Sequence, residues 1–284
     1  MHFPEVLVLG ATGRIGTILR KCWPGRAKTV LWQSRIAQPG AGWCVLDPLA
    51  DPAALGQAAR GRGVILCLAG AVPGRSADMA DNIALAEAAV RAGAEAGARV
   101  LLASSAAVYG HAEGVLKETA PLAPVSDYGR AKAEMETRAA GLGADLGGTV
   151  TCLRIGNVAG VDAILGGWRP GFQLDRFDDG RTPRRSYIGP ATLARVLGDL
   201  VTAADLPPVL NLAAPNAIEM GALLDAAHLD WTPRRPDDSA IAEVQLSTAA
   251  LERITPFAPE NSQPAGMVRE WRELGSDIEG MAKK

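Results

Sequence analysis

The chain has little sulfur, little histidine and few aromatic rings, and each shortage excludes something. Its four cysteines, Cys22, Cys44, Cys67 and Cys152, share no CxxC spacing, and Cys67 and Cys152 fall in apolar runs where a thiol is a small core residue. The three histidines, His2, His111 and His228, form no ligand pattern, so no metal is expected. Aromatic residues are 5% of the chain, too few for an aromatic-rich β-sandwich. No apolar run approaches the ~20 residues of a membrane span. The first residues lack the basic and apolar regions of a signal peptide, so a cytoplasmic protein is expected. An excess of one charge is missing as well. The 29 Lys and Arg against 31 Asp and Glu leave a net charge of −2, which excludes a strongly basic nucleic-acid or membrane-surface binder.

What is present is a globular chain of 284 residues, 48% hydrophobic, with 32 glycines. Apolar runs of strand length at 6–9, 29–32, 43–46, 64–68, 100–103 and 150–155 alternate with helical stretches at 14–22, 52–60, 77–96 and 126–146. Near-continuous apolar strands fit a parallel sheet buried on both faces, so the expected fold is α/β, a doubly wound parallel (Rossmann) sheet. Composition changes after residue 157. Residues 166–190 are rich in Gly and Arg, and a strand at 209–212, a helix at 220–227 and a Pro- and Trp-containing tail follow. The expected division is a dinucleotide-binding domain at 1–160, rejoined by 185–205, and a small C-terminal substrate lobe from 161–184 and 206–284.

The run Gly10-Ala11-Thr12-Gly13-Arg14-Ile15-Gly16 follows the first strand and opens a helix. Glycines there let the backbone turn tightly and approach a pyrophosphate, whose charge meets the helix N-terminus. NAD-binding folds usually carry Asp or Glu about 20 residues beyond the glycines, on the ribose hydroxyls. Residues 17–46 contain no acidic residue, but they contain Arg20, Lys21, Arg26, Lys28 and Arg35. Ser34 and Arg35, helped by Arg14, could hold a 2′-phosphate, which favours NADP(H) over NAD(H). The plainer account is a set of ordinary surface cations.

Tyr128 and Lys132 stand four residues apart, one turn along a helix. Tyrosine is a poor base at neutral pH, but a nearby ammonium and a place in the first turn after an N-capping Ser126 favour the phenolate. Ser104 and Ser105 end an apolar strand, at the sheet edge where ligands sit in such folds and a hydroxyl can steady developing charge. A solvated helix face and a mere strand end are the alternatives for these motifs taken singly.

Together these motifs resemble the extended short-chain dehydrogenase/reductases, the NAD-dependent epimerase/dehydratase family. Leu46-Asp47, Asn82, the lead-in 118–129, Leu153-Arg154-Ile155-Gly156-Asn157 and Val209-Leu210-Asn211-Leu212 extend the likeness over nearly the whole chain. The resemblance implies catalysis by Ser105, Tyr128 and Lys132, with Lys132 also on the nicotinamide ribose. Cofactor contacts are expected at Gly10, Thr12, Gly13, Arg14, Ile15, Gly16, Ser34, Arg35, Asp47, Leu68, Ala69 and Gly70, besides Tyr128 and Lys132. Substrate contacts fall to Ser105, Asn157 and Arg185, the last on a phosphate, so the substrate is expected to be anionic. A homodimer through the helices at 77–97 and 126–146 is also implied.

Two departures bear on the chemistry. Gly189-Pro190-Ala191-Thr192 replaces the family's His-Val-Asp-Asp, and Ala106-Ala107 stand where sugar 4,6-dehydratases carry an acid pair. Elimination of water needs a second acid/base, so a dehydratase is disfavoured. The expected function is an NAD(P)-dependent oxidoreductase or epimerase acting on a secondary alcohol or ketone, a sugar or nucleotide sugar. A non-catalytic NADP-binding sensor or scaffold and a generic carbonyl reductase are the alternatives.

Overall fold

The computed structural model describes residues 3–26, 29–72, 78–238 and 240–275. Lys28 of the basic stretch, His2 and residue 77 at the expected start of the third helix lie outside them. Seven parallel strands form the central sheet: β1 (Val6–Leu9), β2 (Val30–Ser34), β3 (Trp43–Val45), β4 (Val64–Cys67), β5 (Arg99–Ser105), β7 (Val150–Ile155) and β11 (Val209–Leu212). Their order is β11-β7-β5-β4-β1-β2-β3, so the chain reverses direction across the sheet between β1 and β4. Ligands bind in such sheets at the carboxyl ends of the strands beside that reversal. The four residues of β1 are all fully buried.

Alternation along the strands feeds two cores. Val6 and Val8 face α1 (Arg14–Cys22) and α5 (Pro190–Thr202), with Ile18, Leu19, Leu193 and Leu197. Leu7 and Leu9 face α2 (Pro52–Ala59), α3 (Asp81–Ala96) and α4 (Asp127–Asp145), with Leu55, Val90 and Met135. A slip of one residue in β1 would exchange the two sets, so the register is strongly specified. No helix among the described residues is long and apolar enough to cross a membrane.

A second sheet caps the carboxyl edge. It runs β12 (Ala217–Glu219), β10 (Arg184–Ile188), β14 (Glu243–Leu246) and β6 (Val115–Leu116), with β8 (Asn157–Val158) on β10. Strands β9 (Gln173–Asp175) and β13 (Thr232–Arg234) pair separately, and α6 (Met220–Ala226), α7 (Ala249–Glu252) and α8 (Pro264–Leu274) are the remaining α-helices among the described residues. Two segments differ from the sequence reading. The strand at 209–212, given above to the lobe, is the edge strand of the central sheet, and 184–188, given mainly to the first domain, is a strand of the second sheet. The departure at 189–192 also has a structural role. Glu270 of α8 accepts from the Thr192 N–H at 2.8 Å and its hydroxyl at 2.5 Å. A Cβ at Gly189 would stand 2.2 Å from the same carboxylate. This stretch therefore receives α8.

Candidate active site

A cleft of about 350 Å³ opens at the carboxyl edge of the sheet, between the glycine turn, the end of β5 and the loop after β8. Gly10, Gly13, Arg14, Ile15, Gly16, Leu68, Gly70, Ser105, Tyr128, Lys132 and Asn157 line it. Thr12, Ser34, Arg35, Asp47, Ala69 and Arg185 are not among its lining residues. Ile155, Gly156, Val161 and Asp162, which the sequence did not single out as site residues, are.

The glycine turn is built for close approach. Gly10 has φ +78° and a Cβ there would lie 2.6 Å from the Ala69 nitrogen; at Gly16 it would lie 2.5 Å from the Ala11 oxygen. Any side chain at either point collides with backbone, which leaves the turn open to a diphosphate at the start of α1. Gln33 braces it from β2. Its Oε1 accepts from the Gly10 N–H at 2.9 Å and its Nε2 donates to the Leu46 oxygen at 2.7 Å. The buried Ser34 accepts from the Ile36 N–H at 3.2 Å, while Arg35 is exposed. The Asp47 carboxylate accepts from Leu49 and Ala50 N–H groups at 2.9 and 3.3 Å.

Helix α4 delivers the tyrosine and lysine. Ser126 caps it, accepting from the Gly129 N–H at 3.1 Å, which sets Tyr128 in the first turn. Burial pushes the Tyr128 phenol up, against the lowering effects of the neighbouring Ser105 hydroxyl and of the Arg14 charge. Lys132 is 4% exposed; its Nζ donates to the Ala103 oxygen at 2.8 Å and stands 5.9 Å from the centre of the Tyr128 ring. Burial lowers its ammonium to about 8.

Asn82 meets Lys132 at Gly70. A Cβ on Gly70 would lie 2.6 Å from the Asn82 Oδ1 and 3.3 Å from the Lys132 Nζ. That Asn82 oxygen is buried without a hydrogen-bond partner among the described residues. An acceptor in this state, beside an ammonium and a bare glycine, fits a bound ribose hydroxyl. Arg14 reaches across the cleft. Its Nη1 donates to the Val161 oxygen at 2.5 Å and so ties the glycine turn to the loop opposite. Arg185 donates to the Arg184 and Ile241 oxygens, each at 2.8 Å.

The chain matches the model of the NAD dependent epimerase/dehydratase family over residues 6–166. A comparison with curated protein sequences gave no match. Among solved structures, a UDP-glucose-4-epimerase from Stenotrophomonas maltophila with bound NAD and formylated UDP-arabinopyranose is similar at TM-score 0.79 and 19% identity, covering 99% of both chains. The Thermus thermophilus UDP-glucose 4-epimerase complex with NAD gives 0.73 and 19%, covering 94% of this chain and 98% of that one. MoeE5 with UDP-glucuronic acid and NAD gives 0.74 and 21%, covering 95% and 99%. At these identities the likeness is one of fold. The family match spans more than half of the chain, and the chain belongs to the NAD dependent epimerase/dehydratase family.

Proposed function

We propose that this protein is an NAD(P)-dependent oxidoreductase or epimerase acting on a secondary alcohol or ketone of a nucleotide sugar. The observation that carries the reading is that Ser105, Tyr128 and Lys132 line the same cleft as the glycine turn. Gly10, Gly13 and Gly16 would hold the cofactor diphosphate, and Asn82 and Lys132 the nicotinamide ribose. A nicotinamide dinucleotide bound there supplies reversible hydride exchange with a substrate carbon.

The chain's own groups manage the proton. Tyr128 Oη gives its proton to the carbonyl oxygen of the substrate, or takes one from the alcohol. Ser105 Oγ donates to the same oxygen and steadies its charge. The Arg14 charge opposes the burial that raises the phenol and favours the ionised form, and the Lys132 ammonium stands 5.9 Å from the centre of the ring. With Ala106 and Ala107 beside Ser105, no carboxyl group stands in the dehydratase position, which favours reduction or epimerisation over elimination. A preference for NADP(H) over NAD(H) rests on the absence of a carboxylate between residues 17 and 46 and on the exposed Arg35. The small-residue helices α3 and α4 support a homodimer.

The test is turnover of UDP- and dTDP-hexoses and their keto forms with each nicotinamide cofactor, wild type against Tyr128→Phe. Activity that depends on Tyr128 is expected; undiminished turnover in the variant refutes the chemistry. A carbonyl reductase of uncharged ketones is the second reading. It is favoured by one observation: the Arg185 guanidinium is tied to backbone oxygens off the cleft. Efficient reduction of a neutral ketone, with nucleotide sugars inert, would establish it.

A further inference from the structure

Asp162 is the one carboxylate among the described residues that line the cleft. Its Oδ1 accepts from the Leu165 N–H at 3.2 Å and the Gly166 N–H at 3.5 Å, and its Oδ2 accepts from the Tyr187 hydroxyl at 2.6 Å. Tyr187 is fully buried and stands opposite Asn157 in the parallel pairing of β8 and β10. Asn157, Tyr187 and Asp162 thus stand in a row, with Asn157 and Asp162 both on the cleft wall that Ser105 and Tyr128 also line. The cleft's cations are committed elsewhere: Arg14 holds the Val161 oxygen and Lys132 the Ala103 oxygen.

A carboxylate has about four acceptor positions, and three donors engage this one. All three are neutral groups, so among the described residues the Asp162 carboxylate is held in place without an ion pair. Burial pushes the carboxyl up, while the Tyr187 hydroxyl and the backbone N–H groups act to lower it. A substrate hydroxyl can donate into the remaining acceptor position. A substrate carboxylate would meet a like charge in a half-enclosed, poorly screened site. We infer that Asp162 is a specificity residue that selects a neutral, hydroxyl-bearing sugar and rejects one carrying a carboxylate. The inference rests on the nucleotide-sugar reading above and names the sugar class it takes.

The test is calorimetric titration of the NADP⁺-loaded protein with UDP-glucose and UDP-glucuronic acid. Wild type should bind UDP-glucose at least tenfold more tightly, about 1.4 kcal/mol. Asp162→Asn, which keeps the shape and the turn contacts, should bring the two affinities within threefold. A measurement on the wild type alone serves if that variant does not fold: the methyl ester of UDP-glucuronic acid should bind at least tenfold more tightly than the free acid. Discrimination that persists in Asp162→Asn, a wild type that binds both sugars equally, or an ester no better than the acid overturns the inference and leaves the nucleotide-sugar reading intact. A wild type that binds none of these nucleotides overturns that reading, and the inference falls with it.

Discussion

Removing the charge of Glu136 should be among the most damaging single changes in the chain, although Glu136 is not on the cleft wall. Glu136 and Arg154 form an ion pair whose side chains are 6% and 5% exposed. Arg154 Nε reaches both carboxylate oxygens at 3.1 Å and Nη2 reaches Oε2 at 2.7 Å, a two-pronged contact. Its Nη1 donates to the Tyr109 hydroxyl at 2.8 Å and the Glu118 backbone oxygen at 2.9 Å, and the Tyr109 hydroxyl donates to Asn211 Oδ1 at 2.7 Å. Ser104 donates to Glu136 Oε1 at 2.5 Å. Glu136→Gln therefore leaves a guanidinium buried with only neutral partners, at a cost of about 3–5 kcal/mol. Ser104→Ala deletes one hydrogen bond to a charged group, about 1.5–3 kcal/mol. The double variant Glu136→Leu with Arg154→Met should cost less than the sum of its single changes, because no charge is stranded. Urea unfolding of the wild type, Glu136→Gln, Ser104→Ala, the single variants Glu136→Leu and Arg154→Met, and the double variant at one pH measures this. A Glu136→Gln loss under about 1 kcal/mol, or strict additivity in the double variant, would refute the account of a paired, desolvated charge.

Four further outcomes can be checked on the same protein. Tyr128→Phe should lower kcat by roughly 10²–10⁴ while cofactor affinity, measured by fluorescence quenching, changes little. Lys132→Met should abolish cofactor binding yet stabilise the unliganded protein at pH 7 by up to about 3 kcal/mol. The wild-type ammonium titrates near 8 when folded against 10.5 for a free lysine, so that gain should be full below pH 8 and shrink as the pH rises towards 10.5; unfolding curves showing no gain at pH 7 count against it. Arg35→Ala should weaken NADP by about 1.5–3 kcal/mol and spare NAD; equal effects on both cofactors would remove Arg35 from the 2′-phosphate. Arg185→Ala should raise KM for a nucleotide sugar at least tenfold, about 1.4 kcal/mol or more, and an unchanged KM would leave its guanidinium a structural tie to Ile241.

What could be read in the sequence was what lies close together along the chain. The glycine turn, the capping Ser126, and Tyr128 four residues before Lys132 are local patterns, and a strand or helix converts spacing into geometry directly. The strands were legible because parallel strands buried on both faces need continuous apolar runs. Long-range closure was not legible. Asp162 meets Tyr187 across 25 residues, and Asn157 meets Tyr187 only through the register of β8 on β10. Arg14 reads as a phosphate ligand from its place in the turn, but its guanidinium crosses to a carbonyl 147 residues away. At the end of β2, where an acidic residue would reach a ribose, Gln33 instead joins β2, the glycine turn and the residue after β3 through an amide that donates and accepts at once. A carboxylate could accept from Gly10 but could not donate to Leu46. The residue type at that position is thus set by the brace as much as by any ribose, and the missing acid alone does not decide the cofactor. Arg35→Ala does, because the exposed guanidinium bears no part of the brace.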